Sequence, residues 1–184
     1  MNTAPVKKAL LKLVAALDDA KVPYAIVGAM ALNEYGYRRA TSDIDVLLTA
    51  AGLAAFKQRV LGRGYVEKFP GSKGLRDTEH NVQIDVLLAG EYPGDGMVKP
   101  VVFPDPEQVA RRGTVGSFLP LHLLIDLKLA SGMSAPHRLK DLADVLEVIK
   151  AAALPQQFAQ QVDPSVRDKF EELWLAAQTR DPED

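Results

Sequence analysis

The sequence predicts an α/β (α+β) fold, in which helices flank a mixed sheet and a helical subdomain follows. Short apolar runs typical of strands alternate with helical patterns over residues 1–118, whereas residues 119–184 contain helical patterns alone. Such alternation is typical of a sheet covered by helices. We therefore expect an α/β domain over residues 1–118 and a helical subdomain over residues 119–184 packed on it.

The first elements follow from apolar spacing and from the positions of glycine. Apolar residues recur at helical spacing after Pro5, a residue suited to a first helical turn. Gly28 ends the first apolar strand, and Gly36 fits the position just past a helix end. The predicted elements are a helix over residues 4–20, a strand over 24–27, a helix over 29–35 and a strand over 42–48.

The middle of the chain predicts a hairpin followed by a strong strand. Gly62 and Gly64 close a helix, and the glycine- and proline-rich residues 70–74 predict the turn of the hairpin. The apolar run that ends at Leu88 is the clearest strand of this part. The predicted elements are a helix over residues 53–61, strands over 65–69, 75–78, 81–88 and 101–103, and a short helix over 105–111.

The pattern of apolar residues changes at Pro120, after which they recur at helical spacing only. Gly132 is predicted to end the first of these helices. Ser134 suits the N-cap of the second helix. Asp163 and Pro164 suit the start of the last one.

The composition is that of an ordinary globular protein and excludes several functions. Of the 184 residues, 47% are hydrophobic and 25% charged, and the net charge of −2 argues against a general nucleic-acid binder. The absence of cysteine excludes disulfides and thiolate catalysis. No segment has the apolar length of a membrane-spanning helix or the pattern of a signal peptide. We therefore expect a cytoplasmic protein with no membrane partner.

Two aspartates at the start of a buried strand are the strongest chemical signal. Asp43 and Asp45 are two residues apart, so their side chains should lie on one face of the strand. Two like charges held that close resist joint ionisation, and a divalent cation removes the penalty. Asp85 is a third carboxylate within an apolar strand, where an isolated charge is costly. If the two strands are neighbours, the three carboxylates would hold magnesium; the alternatives are an exposed turn pair and a strand-end aspartate that accepts backbone hydrogen bonds.

Gly28 lies between a strand and a helix, in the segment Ile26-Val27-Gly28-Ala29. The start of a helix presents free N–H groups that suit a phosphate. Simple close packing at the turn explains the glycine equally well.

The order of these signals resembles the nucleotidyltransferase superfamily typified by DNA polymerase β. The resemblance rests on Gly28-Ala29-x-Ala31-Leu32, Gly36, Arg39-x-Thr41-x-Asp43-Ile44-Asp45 and a lone Asp85 in an apolar strand. The most similar members are small bacterial ones, namely the minimal nucleotidyltransferases and the abortive-infection toxins. The resemblance covers residues 20–90 and extends more loosely to Lys150.

The resemblance implies a nucleotide site around the carboxylates. Asp43 and Asp45 would be ligands of one or two Mg²⁺ ions, and Asp85 would be a metal ligand that activates the attacking hydroxyl. Gly28 and the backbone of Ala29 would contact the phosphates of a nucleoside triphosphate such as ATP. The family often has glycine or serine where Ala29 lies; alanine keeps the backbone N–H but offers no side-chain hydroxyl for a further phosphate contact.

Further nucleotide-binding residues are expected on both sides of the proposed domain boundary. Arg39 is suited to phosphate as a planar fork, or it forms a surface salt bridge. Thr41 borders the site or caps the strand. The resemblance to the toxins implies that Lys128, Lys140 and Asp141 lie beside the nucleotide. The alternative is that Lys128 pairs with Asp141 to join two helices, and that Lys140 is solvated.

The sequence therefore predicts an enzyme, a metal-dependent nucleotidyltransferase that modifies an acceptor hydroxyl. The acceptor is a transfer RNA, a protein or a small molecule, and the sequence does not distinguish them. The resemblance raises the toxin of a toxin–antitoxin pair, with an antitoxin protein as partner. The alternative function is a catalytically silent module that binds a nucleotide or a protein.

Overall fold

The computed structural model describes residues 4–179, which form two compact units. The first unit contains the described residues of 4–34, 38–90 and 104–119, and the second contains 35–37, 91–103 and 120–179.

The first unit is built on a seven-stranded mixed sheet. The strands are β1 (Ala25–Val27), β2 (Asp43–Leu48), β3 (Tyr65–Glu67), β4 (Leu75–Asp77), β5 (Val82–Leu88), β6 (Arg111–Arg112) and β7 (Ser117–Phe118). Their order across the sheet is β3-β4-β5-β2-β1-β7-β6. The pairs β2–β5 and β1–β7 are parallel and the other neighbours are antiparallel. The predicted fold class, a mixed sheet with helices, is confirmed.

Seven α-helices accompany the sheet among the described residues. They are α1 (Ala4–Ala20), α2 (Gly28–Glu34), α3 (Ala50–Val60), α4 (Pro106–Val109), α5 (Leu121–Ser134), α6 (Leu139–Ala151) and α7 (Arg167–Gln178). Two 3₁₀ helices, Pro136–Arg138 and Gln156–Gln161, lie in the second unit. Between residues 4 and 179, no helix is both long and apolar enough to cross a membrane.

The core of the first unit lies beneath α1. This helix packs against β2, β5 and α3, and its apolar side is buried from Val6 to Leu17. Burial alternates along the adjoining starts of the two central strands. Ile44 and Ile84 are fully buried, whereas the residues directly before and after each of them are partly exposed to solvent. The central strands therefore have one covered face and one accessible face.

The second unit is a helical assembly centred on α6, which packs against both α5 and α7. The rings of Phe158 and Phe170 lie 5.7 Å apart in its core. Trp174 of α7 binds the segment that follows α6, because its indole N–H donates to the Leu154 carbonyl at 2.8 Å. The buried Asp126 carboxylate accepts the N–H of Asp163 at 2.8 Å and so fixes the segment before α7 to α5.

Several predicted boundaries were wrong for local reasons. The helix α3 begins at Ala50, because the Thr49 hydroxyl accepts the N–H of Gly52 and caps it. Residues 101–103 form no strand; the Phe103 N–H donates to the Glu91 carbonyl within a loop. The short helix expected over residues 105–111 is α4, which is capped by Asp105.

Three helix boundaries in the second unit were also predicted wrongly. Gly132 lies inside α5, where a Cβ would come within 2.6 Å of Leu142, so this glycine permits close packing with α6. Ser134 is the last residue of α5 rather than an N-cap, and its hydroxyl donates to the Ser131 carbonyl. Asp163 accepts from Ser165 in a turn, and α7 begins later, at Arg167.

Candidate active site

Three carboxylates share the accessible face of the two central strands. Strands β2 and β5 are parallel neighbours in a register that pairs Asp45 with Asp85 and Asp43 with Gln83. Paired residues of adjacent strands project to the same face, and neighbouring strands lie about 4.8 Å apart. Asp43, Asp45 and Asp85 are all partly exposed, whereas the residue that follows each of them along its strand is buried. The sheet therefore brings these three side chains to one surface.

Gly28 lies directly against Asp45. Strand β1 pairs Val27 with Asp45, so the next residue begins α2 beside that carboxylate. A Cβ on Gly28 would come within 1.9 Å of Asp45 Oδ2, and its φ of +62° is in the left-handed region. Only glycine satisfies both constraints without displacing the carboxylate.

Side chains of the preceding loop orient the start of β2. The Thr41 hydroxyl donates to the Asp43 carboxylate and also contacts the Asp43 carbonyl at 3.2 Å. Asn33 of α2 accepts the Arg39 N–H at 2.7 Å and donates to the Arg39 carbonyl at 3.3 Å. These bonds connect α2 to the loop that leads into the carboxylate strand.

Asp85 has two partners on its own side of the sheet. Gln83 Nε2 donates to both Asp85 oxygens, at 2.8 and 3.0 Å. Lys68, which follows β3, places its Nζ 3.4 Å from Asp85 Oδ1. The carboxylate is therefore turned toward the β3–β4 hairpin.

The three strand carboxylates do not converge on a single point in this arrangement. Within residues 4–179, the group of potential metal ligands whose atoms all lie within 4.8 Å of one another is Asp77, Glu79 and His80. Asp43 is hydrogen-bonded to Thr41 instead, and Asp85 is held by Gln83 and Lys68.

The cluster around Asp77 is an ion-pair network built on one buried carboxylate. Asp77 is fully buried and binds the Lys12 ammonium of α1 and, at 2.6 Å, Nδ1 of His80. Burial alone would raise the pKa of Asp77, but the hydrogen bonds from Lys12 and His80 lower it below its ordinary value. This cluster connects α1 to β4, and Lys12 already supplies its positive charge.

The remaining predicted site residues lie in the second unit. Lys128 on α5 binds Asp141 at 3.0 Å and Asp144 at 2.8 Å, both on α6. Burial raises the pKa of Asp141, but the charge of Lys128 and the Ser131 hydroxyl outweigh it and hold the pKa below its usual range. Lys140 is exposed. Lys128 thus joins two helices, which leaves its role toward a nucleotide a prediction.

Sequence reasoning missed the neighbours that orient the carboxylates. Gln83 has the same strand parity as Asp85, and this spacing was a usable signal. Lys68 and Asn33 reach the site from other elements, and no local pattern in the sequence identifies them. Asp144 lies three residues after Asp141, so its proximity to Lys128 follows from helical spacing.

Comparison with known proteins identifies the fold. The chain matches no protein-family model and no curated protein. It superposes on the crystal structure of ANT(2'')-Ia in complex with adenylyl-2''-tobramycin with a TM-score of 0.57 and 14% identity, covering 96% of this chain and 98% of that one.

Two further solved structures give the same result. The solution structure of the antibiotic-resistance factor ANT(2'')-Ia has a TM-score of 0.52 and 15% identity, over 95% of this chain and 90% of that one. An H. pylori protein assigned as a nucleotidyltransferase has a TM-score of 0.52 and 14% identity, over 97% of this chain and 95% of that one. At this level of identity the similarity concerns the fold, and the chain has the fold of the nucleotidyltransferase superfamily.

Proposed function

We propose that this chain is an enzyme, a nucleotidyltransferase that moves a nucleoside monophosphate from a nucleoside triphosphate to an acceptor hydroxyl. The observation that carries the proposal is the arrangement of Asp43, Asp45 and Asp85 on one sheet face, with Gly28 against Asp45. The fold supports it, since one structural neighbour is held in complex with adenylyl-2''-tobramycin, in which an adenylyl group is joined to tobramycin.

The donor set of this face fits magnesium. Three carboxylates offer only oxygen ligands, which Mg²⁺ prefers. Asp45 and Asp85 are already paired on neighbouring strands, so rotation about side-chain bonds is enough to bring their oxygens together. One or two bound metal ions would neutralise the charge of the phosphates in the transition state.

The residues of the chain have distinct roles in the proposed reaction. The acceptor oxygen attacks the α-phosphorus, the bond from this phosphorus to the bridging oxygen of the β-phosphate breaks, and pyrophosphate leaves. Asp85 would receive the proton of the acceptor hydroxyl, directly or through water. The N–H groups at Gly28 and Ala29 would bind the phosphates at the start of α2.

Other residues would bind or orient the nucleotide. Thr41 would hold Asp43 in position through the hydrogen bond described above. Arg39 would bind a phosphate through its guanidinium group. Lys128, Lys140 and Asp141 keep the nucleotide-binding role that the family resemblance implies. For the exposed Lys140, the affinity of the Lys140→Met variant for the triphosphate tests this role.

Transfer from labelled nucleotides tests the activity. Protein incubated with Mg²⁺, α-labelled triphosphates including ATP, and a cell lysate should label an acceptor. The Asp45→Asn and Asp85→Asn variants should lose this labelling, whereas the control Asp19→Asn, at an exposed position of α1, should keep it. Full labelling by both site variants would contradict the proposal.

The acceptor and the biological role need separate experiments. Labelling of purified transfer RNA, of lysate proteins or of aminohydroxyl small molecules such as tobramycin distinguishes the three acceptor classes. A toxin would arrest growth on expression, and a neighbouring antitoxin gene would relieve the arrest. Harmless overexpression of the active protein would contradict the toxin role.

A silent nucleotide-binding module is the second candidate, and Ala29 favours it because its side chain offers no hydroxyl to a phosphate. Calorimetry distinguishes the two candidates. Magnesium-dependent nucleotide binding without transfer across all three acceptor classes supports the silent module. Transfer to any acceptor excludes it.

A further inference from the structure

The β3–β4 hairpin carries a lysine directly to the carboxylate face. Lys68 follows β3, and its N–H donates to the Gly74 carbonyl at 3.2 Å, which closes the hairpin. Its Nζ lies 3.4 Å from Asp85 Oδ1, although the two residues are 17 positions apart. The hairpin therefore brings a cation into contact with a proposed metal ligand.

The stabilising effect of this ion pair is small. The side chains of Lys68 and Asp85 are 37% and 36% exposed, and pairs this accessible contribute about 0–1 kcal/mol. Gln83 already donates to both Asp85 oxygens and satisfies the carboxylate from the strand. Folding of the hairpin thus does not depend on the contact, and its position beside the carboxylates calls for another explanation.

The hairpin also provides a path for the lysine side chain. A Cβ on Gly74 would come within 2.7 Å of Lys68 Cδ, so the methylene chain of Lys68 crosses the face of this glycine. Gly74 is buried and its φ lies outside the left-handed region, so its backbone conformation is open to other residues. The absence of a side chain at position 74 is what leaves room for Lys68 to reach Asp85.

We infer that Lys68 is a resident counter-ion of Asp85 that a divalent cation must displace, and that the displaced ammonium then binds the phosphates of the triphosphate. The ammonium and the metal would both bind the Asp85 carboxylate, so the two positive charges compete for it. Once displaced, the ammonium lies beside the triphosphate, the strongest anion that the proposed reaction brings to this face. Lys68 therefore makes metal binding and triphosphate binding depend on each other.

This inference rests on the proposed function and predicts two opposite effects of one substitution. The Lys68→Met variant should bind Mn²⁺ alone on the order of 5-fold more tightly than wild type, because the competing cation is gone. The same variant should gain less affinity for Mn²⁺ when a non-hydrolysable triphosphate is present. Loss of a residue with a purely structural role would not tighten the binding of Mn²⁺ alone and also reduce the gain in Mn²⁺ affinity that the triphosphate brings.

Calorimetry of the whole protein with Mn²⁺, with and without the triphosphate analogue, measures both effects. The Gly74→Ala variant should reproduce the first effect by displacing Lys68 while keeping its charge. Lys73→Met, on the same hairpin, is the control for a general loss of positive charge and should leave both affinities unchanged.

The outcomes separate this inference from the proposed function. Equal Mn²⁺ affinity in wild type and Lys68→Met, or an equal change in Lys73→Met, overturns the inference alone. Absence of Mn²⁺ binding in all variants overturns it together with the magnesium site. Tighter binding in both Lys68→Met and Gly74→Ala, lost again on adding Asp85→Asn, supports it.

Discussion

Gly28 is constrained both by its backbone conformation and by its contact with Asp45 of the proposed site. Its φ of +62° costs a non-glycine residue about 1–2 kcal/mol, and a Cβ there would collide with Asp45 Oδ2. Asp45 therefore keeps its position because the first residue of α2 has no side chain.

The Gly28→Ala variant is expected to fold but to lose at least about 100-fold in nucleotidyl transfer, since the methyl group displaces a proposed metal ligand. The matched control is Gly62→Ala. Gly62 has a similar φ of +73° with nothing within 4 Å of its would-be Cβ, so it carries the backbone cost without the collision. Equal activity of the two variants would contradict the role of Gly28.

Tyr65 is a buried residue whose hydroxyl has no hydrogen-bond partner among the described residues. Burial raises its pKa, and the charges of Asp77 and Glu79 add to the effect. The Tyr65→Phe variant should be as stable as wild type or up to about 1 kcal/mol more stable in urea unfolding, because an unsatisfied polar group is removed.

The control for this prediction is Tyr24→Phe. The Tyr24 hydroxyl accepts the Ser117 N–H at 3.3 Å, so its loss should destabilise the protein by about 1 kcal/mol. A larger loss of stability in Tyr65→Phe than in Tyr24→Phe would refute the assignment.

At the scale of elements, the helices α5 and α6 are joined by a charged cluster. Lys128 on α5, only 12% exposed, binds Asp141 and Asp144 on α6. Gly132 lets Leu142 approach at the same interface. Close packing and ion pairing therefore act together between these two helices.

Removing the cation of this cluster leaves two carboxylates close together. The Lys128→Met variant should lose about 3 kcal/mol in urea unfolding, since a buried pair is broken on one side only. Lys150→Met, which removes an exposed lysine paired with Glu147, should cost less than about 0.5 kcal/mol. Similar losses for both variants would argue against a structural role of Lys128.

Asp126 connects α5 to the segment before α7 and should make stability depend on pH. Burial raises its pKa from 3.8 to about 7, against the effect of the hydrogen bond from the Asp163 N–H. Between pH 4 and 7 the unfolded chain releases this proton while the folded protein retains it, so stability contributed by the neutral form falls as the pH rises.

The Asp126→Asn variant keeps an acceptor oxygen and cannot ionise. Compared with this variant, wild type should lose about 4 kcal/mol of unfolding free energy between pH 4 and pH 8, since the pKa rises by about three units. Urea unfolding at several pH values measures the difference. A difference that stays constant with pH would contradict the buried, neutral state of Asp126.

At the scale of the whole molecule, the features that could be predicted from the sequence are those that apolar periodicity and strand parity determine. The predicted end of α1 at Ala20 agrees with the structure, and the parity of Asp43, Asp45 and Asp85 agrees with their common face. A two-residue spacing in a strand decides the face without knowledge of the fold.

Features that depend on contacts between distant elements could not be predicted. The strands β6 and β7 have two residues each, too few for a periodic signal, and exist because β7 pairs with β1. Gly132 resembled a helix end because its packing partner, Leu142, is unknown from the local sequence. Lys68 reaches Asp85 only through the geometry of the hairpin.

The central claim is that Asp43, Asp45 and Asp85 hold the metal of a nucleotidyl-transfer site. The most direct test is the anomalous scattering of Mn²⁺ in crystals soaked with Mn²⁺ and a non-hydrolysable nucleoside triphosphate. The expected result is a peak bounded by Asp43 and Asp45, with the triphosphate beside Gly28. A peak at Asp77, Glu79 and His80, with none at the strand carboxylates, would contradict it.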